Sequence, residues 1–166
     1  MCSSDLFPSH DTVFDISNGV LSGGYYVDFG ANKVPIDRHK KLKKRDQVID
    51  LLNSKYCYGI KNVLETSNML YFDFSFGSNG FPLFYDRNSK LTYSGLLYFL
   101  LPKAVDSDNY FVGFYESYVV NQIVSSPDSY DYNVNWRKSI GETSWKVVEQ
   151  MKPSDNPLLL FYKIEL

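Results

Sequence analysis

Along most of this chain the apolar positions recur every second residue, the period of strands. From Asp11 onward Thr12, Phe14 and Ile16 alternate with Val13 and Asp15. Asn18-Gly19 follows, a strong two-residue hairpin signal, and Tyr25, Val27 and Phe29 then alternate with Tyr26 and Asp28 as far as Gly30. Tyr58 to Thr66 reads as a strand. Met69 to Phe76 alternates almost without fault, with Leu70, Phe72, Phe74 and Phe76 on one face and Tyr71, Asp73 and Ser75 on the other. Gly77-Ser78-Asn79-Gly80 turns the chain into a strand from Phe81 to Asp86, and Asp86-Arg87-Asn88-Ser89 turns it into another from Lys90 to Tyr93. Four antiparallel strands on short turns within about forty residues match one blade of a propeller. Further strands are expected at Asn109–Tyr118 and Leu158–Ile164.

The period changes to 3.6 at two places. Leu42, Val48, Ile49, Leu51 and Leu52 predict a helix over 41–53. Ser139-Ile140-Gly141-Glu142 has capping-box spacing and opens a second predicted helix, 140–151, that Pro153 stops. Tyr118 to Val124 fits a short helical turn, whereas 126–135 is polar and loop-like. The expected fold class is therefore all-β: a partial β-propeller, about two and a half blades of antiparallel strands with two minor helices. A closed ring needs at least about four blades of ~40–45 residues, so 166 residues form either a small sandwich or part of a larger ring.

Composition changes the picture in three respects. Hydrophobic residues at 44% with 17% aromatics indicate a globular chain that leans toward strands. Arg38, Lys40, Lys41, Lys43, Lys44 and Arg45 form a basic run with no acid inside it; the net charge is -2, so the remainder carries -8. An acidic body argues against nucleic-acid binding, and the run lacks interleaved aromatics, so its simpler reading is a solvated insertion. Cys2 and Cys57 are too few for a disulfide framework, and neither they nor His10 and His39 have metal-ligand spacing. Residues 1–6, Met-Cys-Ser-Ser-Asp-Leu, are what the end of a common sequencing adapter encodes; they are expected to be an artefact and are excluded from fold reasoning.

Three segments carry a family resemblance. The first is Asp11-Thr12-Val13-Phe14 through Tyr26-Val27-Asp28-Phe29-Gly30, with Pro35 after it. Next come Glu65-Thr66-Ser67 with Leu70-Tyr71-Phe72 and Leu83-Phe84-Tyr85-Asp86. The last is Asp155-Asn156-Pro157 leading into Leu158–Lys163. In this order the chain resembles the largely uncharacterised six-bladed β-propeller proteins that certain gut bacteria export, usually as lipoproteins. It departs from them in ending Glu165-Leu166, where the family commonly ends in a basic residue. The resemblance implies that residues 7–166 are the C-terminal fragment of one six-bladed propeller domain. It also implies an extracytoplasmic location, periplasm or cell surface, with any membrane attachment made through a lost N-terminal lipid anchor.

No catalytic constellation, cofactor motif or metal-ligand set is legible. Asp106-Ser107-Asp108-Asn109 lacks the glycine and distal glutamate of a calcium loop and reads as an Asx-rich turn. Cys57 has no neighbouring base, and no spacing ties Glu65, Asp73 and Glu116 into a carboxylate pair. The expected function is a non-enzymatic binding or scaffold propeller for an unknown ligand, a carbohydrate or a peptide. The candidate ligand-binding residues are Glu65, Tyr71 and Glu116, with Tyr85 and Tyr115 as further stacking candidates. The alternative is a hydrolase or lyase whose site is completed by missing N-terminal blades. A row such as Leu70, Phe72, Phe74 and Phe76 is expected to lie uncovered where neighbouring blades are missing.

Overall fold

The computed structural model describes residues 11–35, 49, 53–94, 101–125 and 130–164. The chain divides into two compact units, Met1–Leu97 and Tyr98–Leu166. Residues 1–6, the basic run 38–45 and, apart from Ile49 and Asn53, the helix expected over 41–53 lie outside the described residues.

In the first unit β1 (Thr12–Ser17) and β2 (Val20–Tyr26) form an antiparallel hairpin. Asn18 and Gly19 turn it with φ of 51° and 76°, the left-handed values that a two-residue hairpin loop needs and that Asn and Gly tolerate best. A four-stranded sheet follows in sequence order: β3 (Cys57–Glu65), β4 (Met69–Phe76), β5 (Asn79–Asp86) and β6 (Thr92–Ser94). Leu70 pairs with Tyr85, Phe72 with Leu83 and Phe74 with Phe81, so these side chains share one face. The hairpin and the loop after it cover that face. Val13 joins Ile60, Leu70 and Phe72 in a buried cluster flanked by Tyr25, Val27 and Phe29. Each such side chain contributes about 1.5–3 kcal/mol by leaving water. The row expected to lie bare is therefore covered at Leu70 and Phe72 and half-buried at Phe74 and Phe76.

In the second unit β7 (Pro102–Val105), β8 (Phe111–Tyr115) and β9 (Leu158–Tyr162) form an antiparallel sheet in that order. Two helices separate β8 from β9 in the chain: α1 (Ser117–Ser125) and α2 (Tyr130–Gln150). Tyr115, Leu158 and Leu160 pack against buried Val120, Trp136, Trp145 and Val148. Trp136 has no exposed surface and lies edge-on to Trp145 with ring centroids 6.1 Å apart. On the opposite face Phe114 pairs with Leu159 and Val112 with Phe161. Phe114, Leu159 and Phe161 are 43%, 52% and 57% exposed, so the bare apolar row lies here.

Among the described residues strands outnumber helices, as expected of an all-β chain with minor helices. α1 falls on the helical turn expected over 118–124, and the part of α2 beyond Gly141 falls on the helix expected over 140–151; the part before Gly141 differs from expectation. α2 begins at Tyr130, within a stretch read as loop, because Trp136 anchors an otherwise polar segment to the core. The expected capping box does not form. Ser139 donates instead to the carbonyl of Asn135 at 2.9 Å, one turn back, and Glu142 accepts from Arg137 Nε at 2.6 Å and Nη2 at 2.7 Å. The actual break is Gly141, with φ 77° and ψ 161°, a region essentially closed to residues with a Cβ. β7 went unrecognised because it is a four-residue edge strand that starts on a proline. No helix among the described residues is long and apolar enough to cross a membrane.

Two outcomes follow. Nothing lies within 4 Å of a Cβ built on Gly141 or on Gly80, but only Gly141 has a positive φ. Gly141→Ala should cost about 1–3 kcal/mol through backbone strain, whereas Gly80→Ala should stay within ~0.5 kcal/mol; urea denaturation of the full chain distinguishes them, and equal midpoints would mean that the break at Gly141 is absent. Burial and, secondarily, Tyr115 hold the Tyr162 phenol above its ordinary value of 10.0. The folded chain keeps a proton that the unfolded chain sheds near pH 10.0, so this contribution is complete below that pH and falls as pH rises above it. Tyr162→Phe should flatten the alkaline loss of stability relative to the parent, read as melting temperature from pH 9 to pH 12.

Candidate aromatic cleft

The hairpin does not cover the blade face completely. It leaves a cleft of about 440 Å³ whose walls include Tyr25, Phe29, Phe72, Phe74 and Tyr85, with Asp28 and Thr92 as polar lining residues. This volume lies in the range of small-ligand sites, which are mostly apolar with a few placed polar groups. The tight passage from β2 sets the rim. Asp28 Oδ1 accepts from the backbone N–H of Gly30 at 2.9 Å, and Gly30 takes a φ of 55° to enter a short 3-10 turn, Gly30–Asn32. Phe29 is thereby placed against Phe74, with ring centroids 5.2 Å apart.

One end of the cleft carries a polar cluster. Tyr25 donates to Glu65 Oε1 at 2.5 Å. Arg87 Nη2 donates to the Tyr25 hydroxyl and pairs with Glu65 Oε1. Arg87 Nη1 reaches the carbonyls of Thr66 and Ser67 at 3.3 and 3.4 Å, and its backbone N–H donates to Asn68 at 2.9 Å. The β3–β4 turn is closed from within by Thr66, whose Oγ1 accepts from the N–H of Met69 at 3.0 Å. Arg87 thus ties this turn to the hairpin. A second pairing lies at Tyr26. Lys33 Nζ donates to the Tyr26 hydroxyl at 2.5 Å and pairs with the buried Asp11 at 2.9 Å. Hydrogen bonds with Tyr26 and then Asp11 hold the Lys33 ammonium above its ordinary value. Burial, and then the charge of Asp11, push the Cys57 thiol up, which favours the unreactive protonated form.

The three residues singled out by sequence fall in different settings. Glu65 lies in the cluster and is 47% exposed. Tyr71 is fully buried, its ring 4.8 Å from that of Phe84 and its hydroxyl bonded to the Asp73 carboxylate. It offers no face for stacking, because β4 is the second strand of the sheet and is covered on both sides at Met69–Phe72. Glu116 is exposed in the second unit, and its carbonyl accepts from the N–H groups of Val119 and Val120 at the start of α1. Of the further stacking candidates, Tyr85 lines the cleft and Tyr115 packs against Trp136. Asp106 takes the Asx-turn form, with Oδ1 accepting from the N–H groups of Asp108 and Tyr110 at 3.0 and 2.8 Å. Among the described residues no group of three or more potential metal ligands occurs. Tyr25, Asp28 and Arg87 were not anticipated. Hairpin register could have found Arg87: Met69 pairs with Asp86, so the next residue falls beside the 66–68 turn.

Antiparallel sheets of two, four and three strands, each paired in sequence order, are the parts of a β-propeller. The chain belongs to the family described as 6-bladed beta-propeller, which matches residues 6–118. Among solved structures it is similar to a "putative exported protein" from Bacteroides fragilis, at 17% identity and a TM-score of 0.67. The match covers 96% of this chain and 46% of that one, so this chain spans about half the length of its structural relative. No curated protein matches it.

Arg87 makes the connections that Glu65 only accepts. Arg87→Ala should therefore cost about 1–2 kcal/mol, and Glu65→Gln, at a half-exposed ion pair, less than ~1 kcal/mol. Urea midpoints of the two variants test this; a larger loss for Glu65→Gln would reverse the assignment.

Proposed function

We propose that residues 7–166 are the C-terminal part of one exported six-bladed propeller domain and form a non-enzymatic binding module for a glycan or a peptide. The carrying observation is the aromatic cleft with the Tyr25–Glu65–Arg87 cluster at one end, ring faces beside fixed polar atoms. Three described sheets against six blades, together with the 46% coverage of the longer relative, support the partial ring. The description of that relative as an exported protein supports an extracytoplasmic location. Attachment through an N-terminal lipid anchor rests on the family resemblance. The hydrolase or lyase alternative draws on Glu65 and Glu116, which belong to different units.

The test is binding of the full chain to glycan and peptide arrays. A ligand is expected on one of them, with Tyr85→Ala weakening it roughly tenfold or more. Silence on both arrays, accompanied by turnover of some substrate, would overturn the binding reading in favour of the enzyme.

A further inference from the structure

The charges around the cleft are paired in an uneven way. Arg87 is committed to Glu65, Tyr25 and the carbonyls of Thr66 and Ser67. Lys33 is committed to Asp11 and Tyr26. Each cation also lies over a tyrosine ring, Arg87 5.6 Å from the centroid of Tyr25 and Lys33 4.8 Å from that of Tyr26. Among the described residues what remains on offer is acidic. Asp28, exposed, is among the described residues the one charged residue lining the cleft, and its contact to Gly30 uses Oδ1. Glu65 is half exposed, and its contacts fall on Oε1. A ligand in the cleft therefore meets the Asp28 carboxylate and ring faces, with Glu65 lying behind Tyr25, and the described cations beside it, Arg87 and Lys33, are engaged.

The cleft also lies on the face of the four-stranded sheet. Its lining comes from Leu70, Phe72 and Phe74 of β4 and from Leu83 and Tyr85 of β5. An extended peptide gains affinity mainly by adding a strand to a sheet edge, where backbone groups stand unpaired. A face offers it few such groups, and the N–H of Val27 is already given to Asp11 at 2.7 Å. A sugar ring suits this surface better, because one side presents C–H groups to an aromatic ring and its hydroxyls donate to carboxylates.

We infer that the cleft takes an uncharged oligosaccharide, its apolar face against Tyr85, Phe74 and Phe29 and a hydroxyl donating to Asp28, and that it turns away glycans bearing carboxylate or sulfate. This rests on the binding reading above. An anion placed beside Asp28 meets like charge, an arrangement used elsewhere to reject wrong partners.

Calorimetry of the full chain, with neutral oligosaccharides and their uronate- or sulfate-bearing counterparts, tests the inference beside a peptide library. Neutral sugars should bind about tenfold or more tightly than acidic ones. Asp28→Asn keeps an acceptor for Gly30 and should narrow that gap by raising affinity for the acidic sugars. Asp28→Lys should invert the preference, which keeps the test open should one variant fold poorly. Equal or tighter binding of acidic sugars to the parent would overturn the inference. So would binding of peptides alone, weakened by Tyr85→Ala, although the binding reading itself would then stand. Absence of any ligand in every class removes both.

Discussion

The first unit depends on keeping a two-stranded hairpin seated on the face of a four-stranded sheet. Burial of Val13 against Ile60, Leu70 and Phe72 supplies the attraction, and that force has no direction of its own. Direction comes from Arg87, whose fork reaches two carbonyls of the β3–β4 turn, Glu65 at the end of β3 and Tyr25 near the end of β2. A lysine could not make these contacts together, since it lacks the planar set of divergent donors. The same contacts leave the cleft open on one side, so the interaction that locates the hairpin also frames the candidate binding surface.

The second unit solves the blade problem differently. Its three-stranded sheet covers one face with its own helices, and the interlocked Trp136 and Trp145 fill the space between the layers. Ser117 fixes the return path, donating toward the carbonyls of Pro153 and Asp155 at 3.0 and 2.7 Å, while Asp155 accepts from the N–H of Lys152 at 2.7 Å. These contacts give the Asp155-Asn156-Pro157 stretch a physical reason: it delivers Leu158 and Leu160 to the helix-facing side of β9. Phe114, Leu159 and Phe161 form an exposed apolar row on the opposite face of the same sheet.

Much of the architecture was legible because strands write themselves in alternation. Met69–Phe76 is a strand from end to end as its period predicts, and Asn18-Gly19 makes the hairpin turn that its two residues favour. Alternation failed where a strand is covered on both faces. Tyr71 shares the outward phase with Asp73 and Ser75, so it reads as a surface ring, but the start of β4 is buried on both sides. Placement of the start of α2 failed for another reason: one tryptophan at position 136 outweighs the polar residues around it, and such an anchor has no periodic signature. Of the candidate site, Glu65 was legible and its partners were not. Tyr25 lies 40 residues away from it in sequence, and only the fold brings the two together.

The electrostatics of the cleft illustrate how pairing, more than composition, sets what a surface can recognise. Tyr25 and Tyr26 are adjacent in sequence, and each carries a cation of the chain over its ring. Each cation is in turn matched by a carboxylate, Glu65 or Asp11. Two acids and two bases thereby cancel over a few residues, and the rings beyond them remain apolar contact surface. Asp28 stands outside both pairs because its position is dictated by the turn: one oxygen must hold the Gly30 N–H for the chain to leave β2 at this angle. The residue that shapes the rim is therefore the charged residue among its described lining, and the acidic character of this candidate surface arises from the geometry of a single turn.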